Sequence, residues 1–136
     1  MKVLYWHVDY IKYKAVSKAL KSAPDIAKKE DELQEGIVVL ISLESHDNEN
    51  TIEMLVSDLI KYAEQIKSQK IMFYPYAHLS NNLLPPAKSL QLINVLKNHE
   101  TLKTSFKEVK FSPFGWYKSF EVKVKGHPLA ELSRSF

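Results

Sequence analysis

The sequence has no cysteine, only three glycines among its 136 residues, and no apolar run approaching membrane-spanning length. The absence of cysteine excludes disulfide bonds and thiolate metal sites. So few glycines leave no Gly-rich phosphate loop and no dinucleotide-binding fingerprint, which argues against nucleotide-hydrolysing and Rossmann functions. The short apolar runs predict no membrane span. Because the N-terminus enters a strand at once and lacks a signal-peptide layout, we expect a cytoplasmic protein.

What the chain does contain is typical of a globular protein. Hydrophobic residues make up 45% of the sequence and charged residues 26%, so residues 1–136 are predicted to form a single domain with one core. The formal net charge of +3 permits contact with RNA but does not by itself argue for it. The five histidines show no ligand spacing, so neither a metal site nor a cofactor is predicted.

Hydrophobic patterning predicts the elements of the first part of the chain. Aromatic and β-branched residues favour two strands, at about 2–8 and 11–16, joined near Asp9. Residues 22–35 are polar and predict a solvated loop. Residues 36–44 form a near-continuous apolar run bounded by turn residues, which is the pattern of a central strand covered on both faces.

A helix is predicted next, with Asn50 as its N-cap and Glu53 completing a capping box. Apolar residues then recur at helical spacing and indicate one buried stripe, not a cofactor site: Ile52, Leu55, Val56, Leu59, Ile60, Ala63 and Ile66. The remaining predicted elements are a strand, a helix that begins at a proline pair, and two further strands, at 70–75, 85–98, 107–111 and 117–125.

The predicted order of elements is ββ-β-α-β-α-β-β. Adjacent strands at both ends of the sequence favour antiparallel pairs, and the βαβα middle favours one or two parallel crossovers. The expected fold class is therefore α/β (α+β): a single domain with a mixed sheet and two helices packed on it.

Three separated segments carry the residues with chemical potential. Residues 74–80 read Tyr-Pro-Tyr-Ala-His-Leu-Ser, and Pro75 ends strand pairing just before the titratable ring of His78. Residues 113–118 read Pro-Phe-Gly-Trp-Tyr-Lys, and residues 125–134 read Lys-Gly-His-Pro-Leu-Ala-Glu-Leu-Ser-Arg. The latter two each contain a glycine, the residue that allows a positive φ or the close approach of a ligand.

Together these segments resemble the N-terminal editing domain of archaeal threonyl-tRNA synthetase, and the resemblance covers roughly residues 1–134. It implies a fold like that of D-aminoacyl-tRNA deacylases, with a mixed, partly barrel-like sheet, two flanking helices and a homodimer. It also implies hydrolysis of the ester that joins L-serine to the 3′ end of tRNA(Thr). Several members of the family also remove D-amino acids from tRNA, so the resemblance makes that activity an expectation for this chain too. The remaining synthetase domains would act in cis, or a separate synthetase in trans.

The chemistry of serine explains why such a domain is needed. Serine lacks only the methyl group of threonine, and one group of that size is worth about 1–3 kcal/mol in a binding pocket. A synthetic site therefore excludes serine poorly, and a second, hydrolytic site is required.

The resemblance also implies the site residues. Lys118 would point its ammonium into the pocket and hold a substrate hydroxyl or the water, and Tyr117 would form a wall. Glu131 would pair with Lys118 or contact the substrate's amine. His78 would bond to this network or to the terminal ribose. The other residues expected to contact the substrate are Ala77, Leu43, Tyr76, Phe114, Gly115 and Trp116.

The implied mechanism relies partly on the RNA. A ribose 2′-hydroxyl of the tRNA would position the water, and backbone amides near Ala77 and His78 would stabilise the oxyanion. The sequence accordingly has no Gly-x-Ser-x-Gly elbow and no His-Glu-x-x-His helix. Two residues depart from the family pattern and alter the expected pocket volume: Leu43 stands where valine is expected, and Trp116 where tyrosine is common.

Other interpretations stay open at this point. The chain could be a non-catalytic tRNA-binding or dimerising appendage of a synthetase, or a freestanding D-aminoacyl-tRNA deacylase. The lysines that could form either a phosphate-facing stripe or a solvated strand face are Lys103, Lys107, Lys110, Lys123 and Lys125. The aromatic residues that could stack on a base or belong to the core are Trp6, Tyr74, Tyr76 and Trp116. His7 and His127 are expected to be structural.

Overall fold

The computed structural model describes residues 1–136 and shows a six-stranded sheet with three helices. The strands are β1 (Lys2–Lys18), β2 (Glu30–Ser42), β3 (Lys70–Pro75), β4 (Glu108–Phe111), β5 (Trp116–Val124) and β6 (Glu131–Ser135). The helices are α1 (Glu49–Ile66), α2 (Pro86–Lys97) and α3 (Glu100–Ser105), and a short 3₁₀ turn covers Ala77–Leu79. None of the helices combines the length and apolarity that crossing a membrane requires.

The strand order is β4-β3-β2-β1-β5, with β6 also beside β1. β2, β3 and β4 run parallel, and β1 is antiparallel to each of its neighbours β2, β5 and β6. The predicted parallel crossovers are therefore confirmed. The predicted antiparallel pair of the last two predicted strands, 107–111 and 117–125, is wrong: β4 pairs in parallel with β3, and β5 pairs with β1 at the other side of the sheet.

The larger of two apolar clusters lies between the sheet and the helices. Side chains from β2 and β3, including Ile37, Val39 and Phe73, pack there against the apolar stripe of α1. The stripe is as predicted, but the helix begins earlier than expected. Its N-cap is Asn48, whose side chain accepts from the amide of Thr51 in a capping box, because Asn48 and not Asn50 precedes the first helical turn.

The opposite face of the sheet curls over a second apolar cluster. Tyr74 of β3 is in register with Leu4 of β1 through β2, yet its ring lies 6.2 Å from that of Tyr13, nine residues further along β1. Nine residues of extended strand span roughly 30 Å, so β1 must bend back across this face. The bend coincides with register shifts between β1 and β5 at Asp9 and Val16.

The fold class predicted from the sequence is confirmed, and several boundaries are corrected. β1 is one strand, and the predicted break near Asp9 is a bulge at which pairing with β2 resumes. Residues 30–35, predicted as loop, begin β2, because this polar stretch pairs with β1 while its side chains mostly face solvent. The short elements α3 and β6 were not predicted.

Candidate active site

A half-buried ammonium group at the start of β5 is the most unusual charge in the molecule. Lys118 Nζ donates to the carbonyl oxygens of Pro113, at 2.7 Å, and Trp116, at 3.3 Å. It also lies 4.9 Å from the centre of the Tyr74 ring. Burial, with no neighbouring carboxylate to compensate, lowers the pKa of Lys118 from 10.5 to about 8.

The turn between β4 and β5 positions this lysine. The amide of Ser112 donates to Phe73, which fixes the turn to β3, and the carbonyl of Gly115 accepts from two amides just after β1, those of Ala19 and Leu20. Gly115 has a φ of 78°, and a Cβ there would lie 2.9 Å from the Cβ of Ala23. Glycine is therefore needed both for the conformation and for the close approach.

Aromatic contacts connect the lysine to the segment that follows β3. The ring of Tyr76 lies 6.4 Å from that of Tyr74 and 5.0 Å from that of His78. The three predicted residues Tyr76, His78 and Lys118 are thus joined by a continuous set of contacts through Tyr74. The imidazole of His78 is exposed and makes no hydrogen bond within the chain, so it is free to contact a ligand.

Hydrogen bonds anchor the turn at Ala77–Leu79 to the end of β2. The amide of Tyr76 donates to Ile41 at 2.8 Å, and the hydroxyl of Ser42 donates to the carbonyl of Tyr76. The amides of Ala77 and His78 open the 3₁₀ turn, where intrahelical acceptors are absent, and neither donates to another part of the chain. Two adjacent exposed amides are suited to binding an anionic oxygen.

Ser80 ties the far end of this turn to a buried ionic cluster. Its hydroxyl donates to Glu44 at 2.6 Å, and the other oxygen of Glu44 lies 2.9 Å from the α-ammonium of Met1. Asp47 binds the same ammonium at 2.8 Å. Burial opposes ionisation of Glu44, but the bonds from Ser80 and the ammonium outweigh it and lower the pKa of its carboxyl.

The remaining predicted substrate-contacting residues differ in accessibility. Leu43 is 6% exposed and belongs to the cluster beneath the helices, so its side chain does not line an open pocket here. Phe114 packs against the edge of the same cluster. The indole of Trp116 donates to Pro24 at 3.0 Å. Tyr117 is 63% exposed and is available as an outer wall.

Of the two roles expected for Glu131, the ion pair with Lys118 is absent within one chain. Glu131 begins β6 opposite Trp6, and its carboxylate is exposed. Lys118 bonds only to backbone carbonyls. The sequence motif places the two residues thirteen positions apart, but β5 and β6 pair with different parts of β1, which separates them in register.

Three of the five lysines for which a phosphate-facing stripe or a solvated strand face was left open form close ion pairs. Lys110 pairs with Asp31 and Glu108, at 3.0 and 3.1 Å, while Lys123 and Lys125 both pair with Asp9. These lysines are therefore engaged in local ion pairs on strand surfaces and do not form a free phosphate-binding stripe.

The two histidines expected to be structural contact each other. His7 Nδ1 and His127 Nε2 lie 2.7 Å apart, and the amide of Leu129 donates to His127 Nδ1. Burial, followed by the nearby His127 and Lys125, holds the pKa of His7 below its usual value. The pair fastens the loop between β5 and β6 to β1.

Sequence reasoning missed the groups that hold the ammonium. The acceptors are the backbone carbonyls of Pro113 and Trp116, which every residue possesses, so no residue type marks them. From its sequence context, Tyr74 is expected only in the core or stacked on a base. Its contact with Lys118 depends on the bend in β1 and has no signature in the local sequence.

Comparisons with known proteins agree in one family. The family model described as the archaea-specific editing domain of threonyl-tRNA synthetase matches residues 1–136. The threonine–tRNA ligase editing subunit of Aeropyrum pernix is 42% identical over 137 residues, which cover 100% of this chain and 32% of that protein. The threonine–tRNA ligase of Methanosarcina mazei is 43% identical over 144 residues, covering 99% of this chain and 22% of that protein. This chain thus spans about a third or less of these relatives.

A solved structure supports the fold alone. The c-Myc DNA Unwinding Element Binding Protein superposes with a TM-score of 0.73, covering 100% of this chain and 99% of that one, at 13% sequence identity. At that identity, the likeness extends to architecture and not to activity.

Proposed function

This chain belongs to the archaea-specific editing-domain family of threonyl-tRNA synthetase, and from that membership we propose that it deacylates L-seryl-tRNA(Thr). The reaction is hydrolysis of the ester between the amino acid carboxyl and the 3′-terminal ribose. Water adds to the ester carbonyl carbon, and the tetrahedral intermediate then collapses to free serine and the ribose hydroxyl. D-aminoacyl esters are a second substrate class that the same hydrolysis would accept.

The observation that carries this proposal is the ammonium of Lys118. An ammonium has three N–H donors, and the carbonyls of Pro113 and Trp116 occupy two of them. The third has no acceptor within the protein and is assigned to the substrate hydroxyl or the attacking water. Because the group is half-buried and has no carboxylate partner, its charge is not cancelled and acts over a short distance.

The turn after β3 supplies the groups for the other end of the ester. The free amides of Ala77 and His78 are assigned to the oxyanion, since donors placed where charge develops usually contribute most to stabilising the transition state of acyl transfer. The exposed ring of His78 is assigned to the terminal ribose. Glu131, which forms no pair with Lys118 in the chain, is assigned to the substrate's amino group, and Tyr117 to the pocket wall.

The wider assembly is part of the proposal. We infer a homodimer that meets the 3′ end of tRNA(Thr) in the cytoplasm, with the other synthetase domains supplied in cis or by a separate synthetase in trans. A ribose 2′-hydroxyl of the tRNA positions the water, so the protein needs no nucleophile of its own.

A single-turnover assay with excess protein tests the function. Seryl-tRNA(Thr) and threonyl-tRNA(Thr) are incubated with the wild type, Lys118→Met and Lys88→Met. Lys88 is exposed on α2, and its replacement removes the same charge at a residue that is assigned no role in the site. We expect fast loss of serine only, a decrease of about 10²–10³-fold in Lys118→Met, and no change in Lys88→Met.

Other outcomes separate the alternatives. Protection of both esters by the wild type supports a tRNA-binding appendage without catalysis. In a parallel assay with D-seryl-tRNA(Thr), release of D-serine with sparing of the L-seryl ester supports a D-aminoacyl-tRNA deacylase. Full activity of Lys118→Met on seryl-tRNA(Thr) removes the lysine from the mechanism.

A further inference from the structure

The aromatic ring beneath the Lys118 ammonium is itself deeply buried. Tyr74 is 2% exposed, and the Lys118 ammonium lies 4.9 Å from its centre. This distance is well within the range of about 6 Å in which a cation is attracted to the negative face of an aromatic ring. Since the other partners of the ammonium are two neutral carbonyls, the ring is its one π partner and compensates for the absent carboxylate.

The Tyr74 ring is held firmly from several sides. Its neighbours are Tyr13 at 6.2 Å and an interplanar angle of 86°, Phe120 at 5.4 Å and 66°, and Tyr76 at 6.4 Å and 59°. These residues come from β1, β5 and the segment after β3, and edge-to-face contacts of this kind fix ring orientation. The phenol hydroxyl of Tyr74 makes no hydrogen bond that would otherwise explain a tyrosine here.

We propose that Tyr74 is a positioning residue of the hydrolytic site, whose ring face holds the Lys118 ammonium in place and keeps it charged. The proposal rests on the proposed function for its catalytic consequence, but the contact itself exists without substrate. Tyr74 acts through Lys118 and does not touch the ester. The same ring also contacts Tyr76, and through it the turn that carries the oxyanion-binding amides, so one side chain sets the spacing between the two halves of the site.

The attraction between cation and ring has a defined effect on protonation. A cation–π contact stabilises the protonated lysine only. Its loss in an unchanged dry environment therefore lowers the pKa of Lys118 by roughly 0.5–1 unit. A residue that only filled space would leave that pKa where it is.

The test compares ring electronics at constant shape. Position 74 is replaced by methionine, by phenylalanine, or by 3,4,5-trifluorophenylalanine, which has nearly the size of phenylalanine but a depleted ring face. The ammonium of Lys118 is titrated by NMR in protein labelled with ¹³C and ¹⁵N lysine, without tRNA. Tyr62→Met is the control, because Tyr62 stacks on Tyr5 at 5.0 Å on the helix side of the sheet.

We expect the Lys118 titration midpoint to fall by about 0.5–1 pH unit in Tyr74→Met and in the trifluoro variant. Tyr74→Phe should restore the midpoint to within about 0.2 unit, since it keeps the ring. Single-turnover deserylation should fall about 5–10-fold in the two variants that lose the ring's negative face and recover in Tyr74→Phe. Tyr62→Met should not move the midpoint.

Equal midpoints in the phenylalanine and trifluoro variants would overturn the proposal. So would a lower rate in Tyr74→Met with an unmoved midpoint, because that result is expected of a packing residue. If Tyr74→Met does not fold, the trifluoro variant still decides, as it preserves side-chain volume. Failure of the proposed function is distinguishable, because the wild type would then release no serine from seryl-tRNA(Thr), while the titration of Lys118 could still respond to the ring.

Discussion

Replacing Lys118 with methionine is expected to stabilise the folded protein while it removes activity. Burial lowers the pKa of this lysine from 10.5 to about 8, and that difference corresponds to about 3 kcal/mol against the charged form in the folded state. Residual solvent contact screens part of this cost, so the expected gain at pH 7 is about 1–3 kcal/mol. Methionine fills similar space and carries no charge to bury.

The sign of the pH dependence follows from the same shift. Below pH 8 the lysine is protonated in both folded and unfolded states, and the penalty is fully present. Between pH 8 and 10.5 the folded state releases its proton first, so the wild type gains stability as pH rises. Lys118→Met lacks this increase, and the stability of the two proteins should converge toward pH 10.5.

Urea denaturation at about pH 7 and about pH 9.5 measures both effects. Lys88→Met serves as the matched control and should change the free energy of unfolding by no more than about 0.5 kcal/mol. The reasoning is refuted if Lys118→Met is less stable than the wild type at the lower pH, or if the difference between them does not shrink at the higher one. Either result would mean that the carbonyls and the ring fully compensate the ammonium for its lost hydration.

Three further substitutions test the scaffold by urea denaturation. Gly115→Ala should lower the free energy of unfolding by about 1–3 kcal/mol, because Gly115 has a positive φ and an added Cβ would meet a neighbour. Gly126 has open space around it, so Gly126→Ala should be nearly neutral. Equal effects of the two substitutions would contradict this prediction. Asn48→Ala should lower the free energy of unfolding by about 1 kcal/mol, because Asn48 is the N-cap of α1. A larger loss of stability in Asn50→Ala would instead indicate that Asn50 is the N-cap, as the sequence predicted. The pKa of His7 is lowered in the folded protein, so the unfolded chain binds the proton first and the wild type should lose stability as pH falls from about 7.5 to 5. His7→Gln should reduce this dependence of the free energy of unfolding on pH. An unchanged dependence would show that His7 is not its source.

Local patterns predicted the elements that depend on local physics. The apolar stripe of α1 and the strand at 70–75 each depend on burial within a few residues, and both occur as predicted. The length of β1 was not predictable, because the bulge at Asp9 interrupts the alternation while pairing continues. The start of β2 was not predictable for a different reason: residues 30–35 are mostly polar because they lie on an exposed part of the β1–β2 pair.

The site was predictable by residue type more than by geometry. The motifs predicted that Lys118 and His78 lie in one region, and contacts through Tyr74 and Tyr76 connect them in the structure. Of the two roles expected for Glu131, pairing with Lys118 does not occur within a single chain, because proximity in sequence does not reveal which part of β1 each strand joins. Backbone acceptors and the bend of β1 are properties of the assembled sheet, so no local pattern could reveal them.

The pairing of residues 2–6 with residues 131–135 has a consequence for synthesis on the ribosome. β1 cannot complete its hydrogen bonding until residues 131–135 have left the exit tunnel. Until then its free edge is a template for association with other nascent chains. Pairings this distant in sequence also slow folding, so this domain should depend on chaperone protection early in its life more than a helical protein of equal length.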